Sequence, residues 1–109
     1  MTKQEFEALA TKFTGGPGIE YNSNNSWGFG GSVGLRWDTE MGDGKQVTIR
    51  VAKGFTRHQK PVKFLTITIS GVGRIFDETQ TSSNFDRAAK MLIKVAEIHD
   101  GPPKEDAQL

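Results

Sequence analysis

The sequence of 109 residues contains no cysteine. This absence excludes disulfide bonds, thiolate zinc sites and a thiol nucleophile, so packing alone has to stabilise the fold. No apolar run approaches the roughly 20 residues that a membrane-spanning helix requires. The N-terminus also lacks the charged-then-apolar order of a signal peptide. The sequence therefore predicts an intracellular, cytoplasmic protein.

Acidic residues are missing from one long segment, between Lys45 and Phe76. Its seven basic residues are Lys45, Arg50, Lys53, Arg57, Lys60, Lys63 and Arg74. The rest of the chain has seven basic residues against thirteen acidic ones, so the formal net charge of +1 conceals a strong segregation of charge. An acid-free segment concentrates positive potential on one part of a folded surface. It indicates a surface for an acidic partner, with compositional drift as the alternative.

Groups that could converge for catalysis are scarce. The only two histidines, His58 and His99, have no metal-ligand neighbour at a useful spacing. Asp77 and Glu78 are adjacent in a strand-like segment, so their side chains point to opposite faces and do not form a carboxylate pair. No serine lies in a nucleophile elbow. The sequence predicts a protein that is not an enzyme and that binds neither a metal nor an organic cofactor.

Hydrophobic spacing predicts a helix at each end of one α+β domain, which spans residues 1–103 and is followed by a frayed polar tail over residues 104–109. The first helix covers residues 2–13, where Thr2 and Glu5 have the spacing of a capping box. The second covers residues 84–99, with Ser83 and Asp86 able to cap it.

Period-two alternation predicts four antiparallel strands between the helices, over residues 27–37, 46–53, 64–70 and 74–78. The expected order is therefore α-β-β-β-β-α, with both helices on one face of the sheet. The residues expected to be buried are Trp27, Phe29, Val33, Leu35, Val47, Ile49, Val51, Leu65, Ile67, Ile69, Phe85, Ala89 and Leu92.

The first predicted strand is rich in glycine on one face, from Gly28 to Gly34. Glycine inside a strand marks a bend, or a place where another backbone or a partner approaches closely. The segment does not have the strand-to-helix order of a phosphate-binding loop, and no Lys-Ser or Lys-Thr pair follows it. This glycine face is therefore a second candidate contact surface, but it does not indicate a nucleotide site.

The predicted interaction surface is the hairpin from Lys53 to Lys63, whose connection is expected to span residues 54–62. A basic connection of this length, carrying an aromatic residue, can anchor a contact with an acidic partner. The alternative is a solvated surface loop. The residues assigned to the interaction are Lys53, Phe55, Arg57, His58, Lys60 and Lys63, with Arg50 and Arg74 beside them.

The order of helix, strand, basic loop, strand, turn, strand and helix resembles the double-stranded-RNA-binding domain, over residues 46–98 together with the first helix. In that family a loop histidine contacts the minor groove, and basic residues at the start of the second helix bind phosphates. Gly54 and His58 match the loop, and Arg87 matches one basic position. Ser83 and Asn84 stand where the family has paired lysines, and residues 27–37 have no counterpart.

In size and character the chain is also similar to small phage-encoded proteins that block host defence, including anti-CRISPR proteins, many of which are single α+β domains. That similarity implies an inhibitor or adaptor that acts in the host cytoplasm on a protein or nucleoprotein complex. The expected function is thus a non-catalytic binding module. The alternative is direct binding of nucleic acid.

Overall fold

A computed structural model describes residues 1–23, 31–56, 58 and 60–102 of the chain. Within these residues it contains two helices and five strands in one antiparallel sheet, which confirms the predicted α+β class. The elements are α1 (Lys3–Thr14), β1 (Ile19–Ser23), β2 (Ser32–Glu40), β3 (Gln46–Phe55), β4 (Pro61–Ile69), β5 (Gly73–Thr79) and α2 (Ser82–Ile98). The strands follow one another across the sheet in chain order.

The sheet has one strand more than the sequence predicted, because β1 forms over Ile19–Ser23, where no strand was predicted and where the polar residues 21–25 indicated a loop. It pairs with β2, with Ile19 opposite Arg36 and Ser23 opposite Ser32. Every residue of β1 except Tyr21 is exposed. Alternation of apolar and polar residues reports a buried face. An edge strand outside the core has no such face, so its pattern gave no strand signal.

The central hairpin is longer than predicted, because β3 continues to Phe55 and β4 begins at Pro61. The connection therefore covers only residues 56–60, where the Thr56 amide donates a hydrogen bond to the Lys60 carbonyl at 2.9 Å. The sequence placed residues 54 and 61 in the connection. Gly54 is nevertheless paired with Val62, and proline is tolerated as the first residue of a strand.

Both helices begin with side-chain caps. The Thr2 and Glu5 capping box of α1 is confirmed, with hydrogen bonds of 2.9 and 3.1 Å. Helix α2 begins earlier than predicted, because Thr81 rather than Ser83 is its N-cap and accepts a hydrogen bond from the Asn84 amide at 3.1 Å. A threonine at this position satisfies the free amides of the first turn in the same way.

The hydrophobic core lies between the two helices and one face of the sheet. A single buried cluster joins side chains of α1 and α2 to the inward side chains of β2 to β5, so both helices pack on that face. Of the residues predicted to be buried, those confirmed are Val47, Ile49, Val51, Leu65, Ile67, Ile69, Phe85, Ala89 and Leu92. Leu35 is half-buried, and Trp27 and Phe29 lie outside the described residues.

The prediction for Val33 was wrong, because 42% of this residue is exposed. Val33 is paired with Lys53, near the end of the sheet that carries the hairpin connection. Alternation identifies the face on which a side chain lies, but it does not show how far along that face the helices extend. The buried cluster also contains residues that were not on the predicted list, namely Phe6, Ala10, Trp37, Met41, Phe76, Ala88 and Val95.

The C-terminal end of α2 is held against the turn between β2 and β3. The His99 Nδ1 atom lies 2.7 Å from an Asp43 carboxylate oxygen, and the Asp43 amide donates to the His99 carbonyl at 3.2 Å. The hydrogen bond with His99, together with that from the Lys45 amide, holds the pKa of the Asp43 carboxyl below its ordinary value. Ionised Asp43 therefore stabilises this end of the molecule.

An Asp43→Asn variant is expected to be less stable than the wild type at pH 7, and the difference in Tm should shrink in acid. A carboxyl whose pKa is lowered by folding stabilises the fold above its unfolded pKa, which is about 3.9, and this contribution is lost as pH falls through the folded pKa. Thermal unfolding of both proteins between pH 7 and pH 2.5 tests this. A Tm difference that stays constant over the whole range would contradict it.

Candidate functional site

Two lysines face each other across the central hairpin. Lys53 of β3 is paired directly with Lys63 of β4, and Val33 of β2 continues the row on the other side of Lys53. All three side chains are exposed. Side chains two residues apart on a strand point to the same face, so Lys53 lies on the same face as the buried residues Ile49 and Val51. The lysine pair is therefore on the helix-covered face, beyond the part that the helices cover.

The hairpin connection brings further predicted residues to the same end of the sheet. Phe55 is paired with Pro61 at the last position of the ladder and is 56% exposed. His58 and Lys60 are exposed in the connection. Arg57 lies outside the described residues. We call Lys53, Phe55, His58, Lys60 and Lys63 the hairpin surface.

Charge compensation differs between the hairpin surface and the rest of the molecule. Elsewhere, Arg74 donates to the Asp77 carboxylate at 3.1 Å and Arg36 to that of Asp38 at 2.8 Å. Within the described part of the chain, no carboxylate forms a salt bridge with Lys53, Lys60 or Lys63. The positive charge of the acid-free segment is therefore uncompensated by any described carboxylate at the hairpin surface, whereas that of Arg74 is neutralised by an ion pair.

The N-terminal end of α2 lies beside the hairpin surface. The Gln80 amide donates to the Lys63 carbonyl at 3.1 Å, and the Gln80 side chain donates to the carbonyls of Ala52 and Phe64 at 2.8 and 3.0 Å. The helix begins two residues later and has no acidic residue in its first turn. The positive end of a helix dipole thus adds to the potential of the lysines.

Arg50 and Arg74, which the sequence grouped with the hairpin, lie on the opposite, helix-free face of the sheet. Arg50 occupies a row with Arg36, Thr66 and Asp77 across four strands. The structure therefore divides the predicted site into two surfaces on different faces. The difference arises because the Arg50 side chain points away from the face on which Val47, Ile49 and Val51 are buried, whereas the Lys53 side chain lies on that face.

The helix-free face contains a concave region of about 340 Å³, which we call the Arg50 cavity. Its walls include Arg50, Val62, Phe64, Thr66, Arg74 and Asp77. The Arg50 guanidinium also lies over the Tyr21 ring, 5.8 Å from its centre. The sequence did not single out Tyr21, Phe64 or Thr66. Phe64 and Thr66 do occupy the outward positions of a strand that was predicted, which was the available signal.

The predicted glycine face is explained in part by strand packing. A Cβ atom on Gly34 would lie 2.4 Å from the Val51 carbonyl oxygen and 2.5 Å from the Ala52 Cα atom. Glycine at this position therefore permits the close approach of β3. Gly28 and Gly30 lie outside the described residues, and the contact role of this face stays a prediction.

The described residues contain neither a metal-binding cluster nor a membrane-spanning helix. Residues 1–23, 31–56, 58 and 60–102 hold no group of three or more His, Cys, Asp or Glu side chains placed to bind a metal ion. Neither of the two helices in these ranges has the length and hydrophobicity to cross a lipid bilayer.

Comparisons with protein-family models, with curated proteins and with solved structures found no match to this chain.

Proposed function

We propose that this protein is a non-catalytic binding module, of the inhibitor or adaptor kind, that engages an acidic surface of a protein or nucleoprotein through the hairpin surface. The observation that carries the proposal is the direct pairing of Lys53 with Lys63. Like charges at directly opposite positions of two strands destabilise a sheet. An acidic partner would convert this unfavourable pair into a favourable contact.

Three features next to the lysine pair support a binding role. The N-terminal end of α2 adds positive potential, as described above. Lys60 and His58 extend the basic area into the connection. Phe55 supplies an exposed aromatic side chain, of the type that anchors many protein interfaces when it is surrounded by charged groups. Together they make a small apolar centre with a cationic rim.

Replacing both Lys53 and Lys63 by glutamate is expected to weaken partner binding at least about tenfold, a change of about 1.4 kcal/mol in binding free energy. Capture from a lysate of the source cells, with and without nuclease, identifies the partner and shows whether nucleic acid mediates the contact. The affinity of the purified partner is then measured for the wild type and the variant by calorimetry.

The matched control is Lys90→Glu with Lys94→Glu, which makes the same change in net charge on the exposed side of α2. This control should bind the partner with nearly wild-type affinity. If both double variants lose affinity equally, the effect comes from net charge and the hairpin surface is not the site. Circular dichroism checks that each variant retains the fold.

Direct binding of double-stranded RNA is the second candidate, and one observation favours it. The β3–β4 connection and the start of α2 lie at the same end of the sheet, as the order of elements in the double-stranded-RNA-binding domain requires. Against it, the Arg87 guanidinium lies 3.7 Å from the Glu78 carboxylate and over the Phe76 ring, so this matched basic position is already engaged.

Salt dependence separates the two candidates. Contact with phosphates releases counterions, so the affinity for a duplex falls steeply with salt, with a log-log slope close to −0.9 per neutralised phosphate on duplex DNA as a reference. A protein interface centred on Phe55 predicts a shallow slope and capture that survives nuclease. A steep slope with nuclease-sensitive capture would replace the first proposal by the second.

A further inference from the structure

The Arg50 cavity contains a guanidinium group that is not fully used by the fold. The Arg50 Nε atom is buried, and no described residue accepts a hydrogen bond from it. A buried donor without an acceptor is costly, which is why most such groups in proteins are hydrogen-bonded. The Tyr21 ring contacts the guanidinium through its face and does not replace an in-plane acceptor at Nε.

The charges around the cavity define the charge of a fitting ligand. Arg74 and Asp77 also line it, and their side chains form an ion pair at 3.1 Å. Arg50 forms no salt bridge with any carboxylate in the described part of the chain. One positive charge is thus left uncompensated, which favours a ligand with a single negative charge.

The surroundings favour an isolated anion over a nucleic-acid strand. Asp77 lies in the same cross-strand row as Arg50, and Asp38 lies in the next row on the same face of the sheet. Partial burial raises the pKa of the Asp38 carboxyl, but the hydrogen bonds from Thr48 and Arg36 outweigh it and hold that pKa below its ordinary value. Successive phosphates of a strand crossing this face would meet these carboxylates and be repelled.

The apolar walls define the rest of the ligand. Val62 and Phe64 line the cavity beside the small residue Gly54, and Phe55 borders it. A volume of about 340 Å³ accommodates a group of the size of one aromatic ring with a short substituent. A ring that stacks on Phe64 while its acid group pairs with the Arg50 guanidinium would use both the apolar wall and the uncompensated positive charge.

We propose that the Arg50 cavity binds a monocarboxylate with a small apolar body, through a hydrogen-bonded ion pair with the Arg50 guanidinium. The planar fork of guanidinium donors matches the two oxygens of a carboxylate. This site lies on the sheet face opposite the lysine pair. Phe55 borders both sites, but the inference does not rest on the function proposed for the hairpin surface. It gives the protein a small-molecule ligand in addition to a macromolecular partner.

Titration with phenylacetate, followed by two-dimensional NMR of the backbone amides, tests the proposal. The amide signals of Gly54, Phe64 and Thr66 should shift, with an affinity in the millimolar range that is usual for so small a ligand. 2-Phenylethanol, which has the same ring and no charge, should bind at least about tenfold more weakly if the ion pair contributes. Equal binding of the acid and the alcohol would overturn the proposal.

Variants at two arginine positions locate the interaction. Arg50→Gln should weaken phenylacetate binding at least about tenfold, whereas Arg36→Gln, which removes a guanidinium from the same row but outside the cavity, should leave it unchanged. Arg50→Lys retains the charge and provides a second variant if Arg50→Gln does not fold. It should bind phenylacetate more weakly than the wild type because it lacks the planar fork.

Three further outcomes would also overturn the proposal. They are an absence of shifts at the cavity up to about 10 mM phenylacetate, equal weakening in the Arg50 and Arg36 variants, and tighter binding of a dinucleotide than of phenylacetate. The last result would assign the cavity to a phosphodiester. The variant with glutamate at positions 53 and 63 should bind phenylacetate like the wild type, so that failure of this proposal and failure of the hairpin proposal are distinguishable.

Discussion

Replacing Phe6 by alanine is expected to lower the free energy of unfolding by about 3–5 kcal/mol, as for other large-to-small changes at fully buried aromatic positions. Phe6 has no exposed surface, and its ring centre lies 5.4 Å from that of Phe85. It is therefore a main contact of α1 with α2. The loss of stability includes the transfer free energy of the buried ring and the cost of the cavity that remains when the surrounding structure does not collapse into it.

Chemical unfolding monitored by far-ultraviolet circular dichroism measures this effect, and Phe55→Ala is the matched control. The same substitution at this 56% exposed position should change the free energy of unfolding by only about 0.5 kcal/mol. Phe55→Ala is expected instead to reduce partner binding. If Phe6→Ala and Phe55→Ala had equal effects on stability, Phe6 would not occupy the buried position described here.

Replacing Gly34 by alanine is expected to destabilise the fold by about 1–3 kcal/mol, the range for overpacking of a tightly packed site. The added Cβ would meet the Val51 carbonyl oxygen and the Ala52 Cα atom, both of them backbone atoms of β3. A flexible side chain could turn away, but backbone atoms move only if the β2–β3 ladder is distorted. The substitution therefore tests the close approach of β2 to β3 on the helix-free face.

Gly16→Ala is the control for Gly34→Ala. No atom lies within 4 Å of a Cβ built on Gly16, and its φ is not in the left-handed region. Reduced entropy of the unfolded chain should make this variant neutral or more stable by up to about 1 kcal/mol. Urea unfolding compares the two. Equal midpoints for Gly34→Ala and the wild type would show that β2 and β3 are not so closely paired at this position.

The parts of the fold that could be predicted are those with a buried face or a side-chain cap. Alternation of Val47, Ile49 and Val51 predicted a strand because each residue enters the core. The capping box of Thr2 and Glu5 predicted the start of α1. Strand β1 has neither signal, because its backbone pairs with β2 while nearly all of its side chains remain in solvent. Pairing of this kind depends on the partner strand.

The candidate site was predictable in composition but not in arrangement. The acid-free segment identified the bases, and period-two alternation could separate Arg50 from Lys53. The ion pair of Arg74 with Asp77 leaves less free charge on the helix-free face than a count of bases suggests. The Arg50 cavity needs Phe64 and Thr66 of β4 beside Arg50 of β3. These neighbours are set by strand register, which the sequence does not specify by itself.

The chain order of the strands across the sheet has a consequence for how the hairpin surface is held. β3 and β4 are hydrogen-bonded on both sides, to each other and to β2 or β5. Each pairing joins segments that are neighbours in the chain, so only short loops have to close when the sheet forms, and the entropy cost of each closure is small. The strand framework under Lys53 and Lys63 is thus locally assembled and stiff. For the proposed partner, the backbone positions of the two lysines are already fixed, so that only their side chains have to be ordered on binding, which leaves more of the interaction energy as affinity.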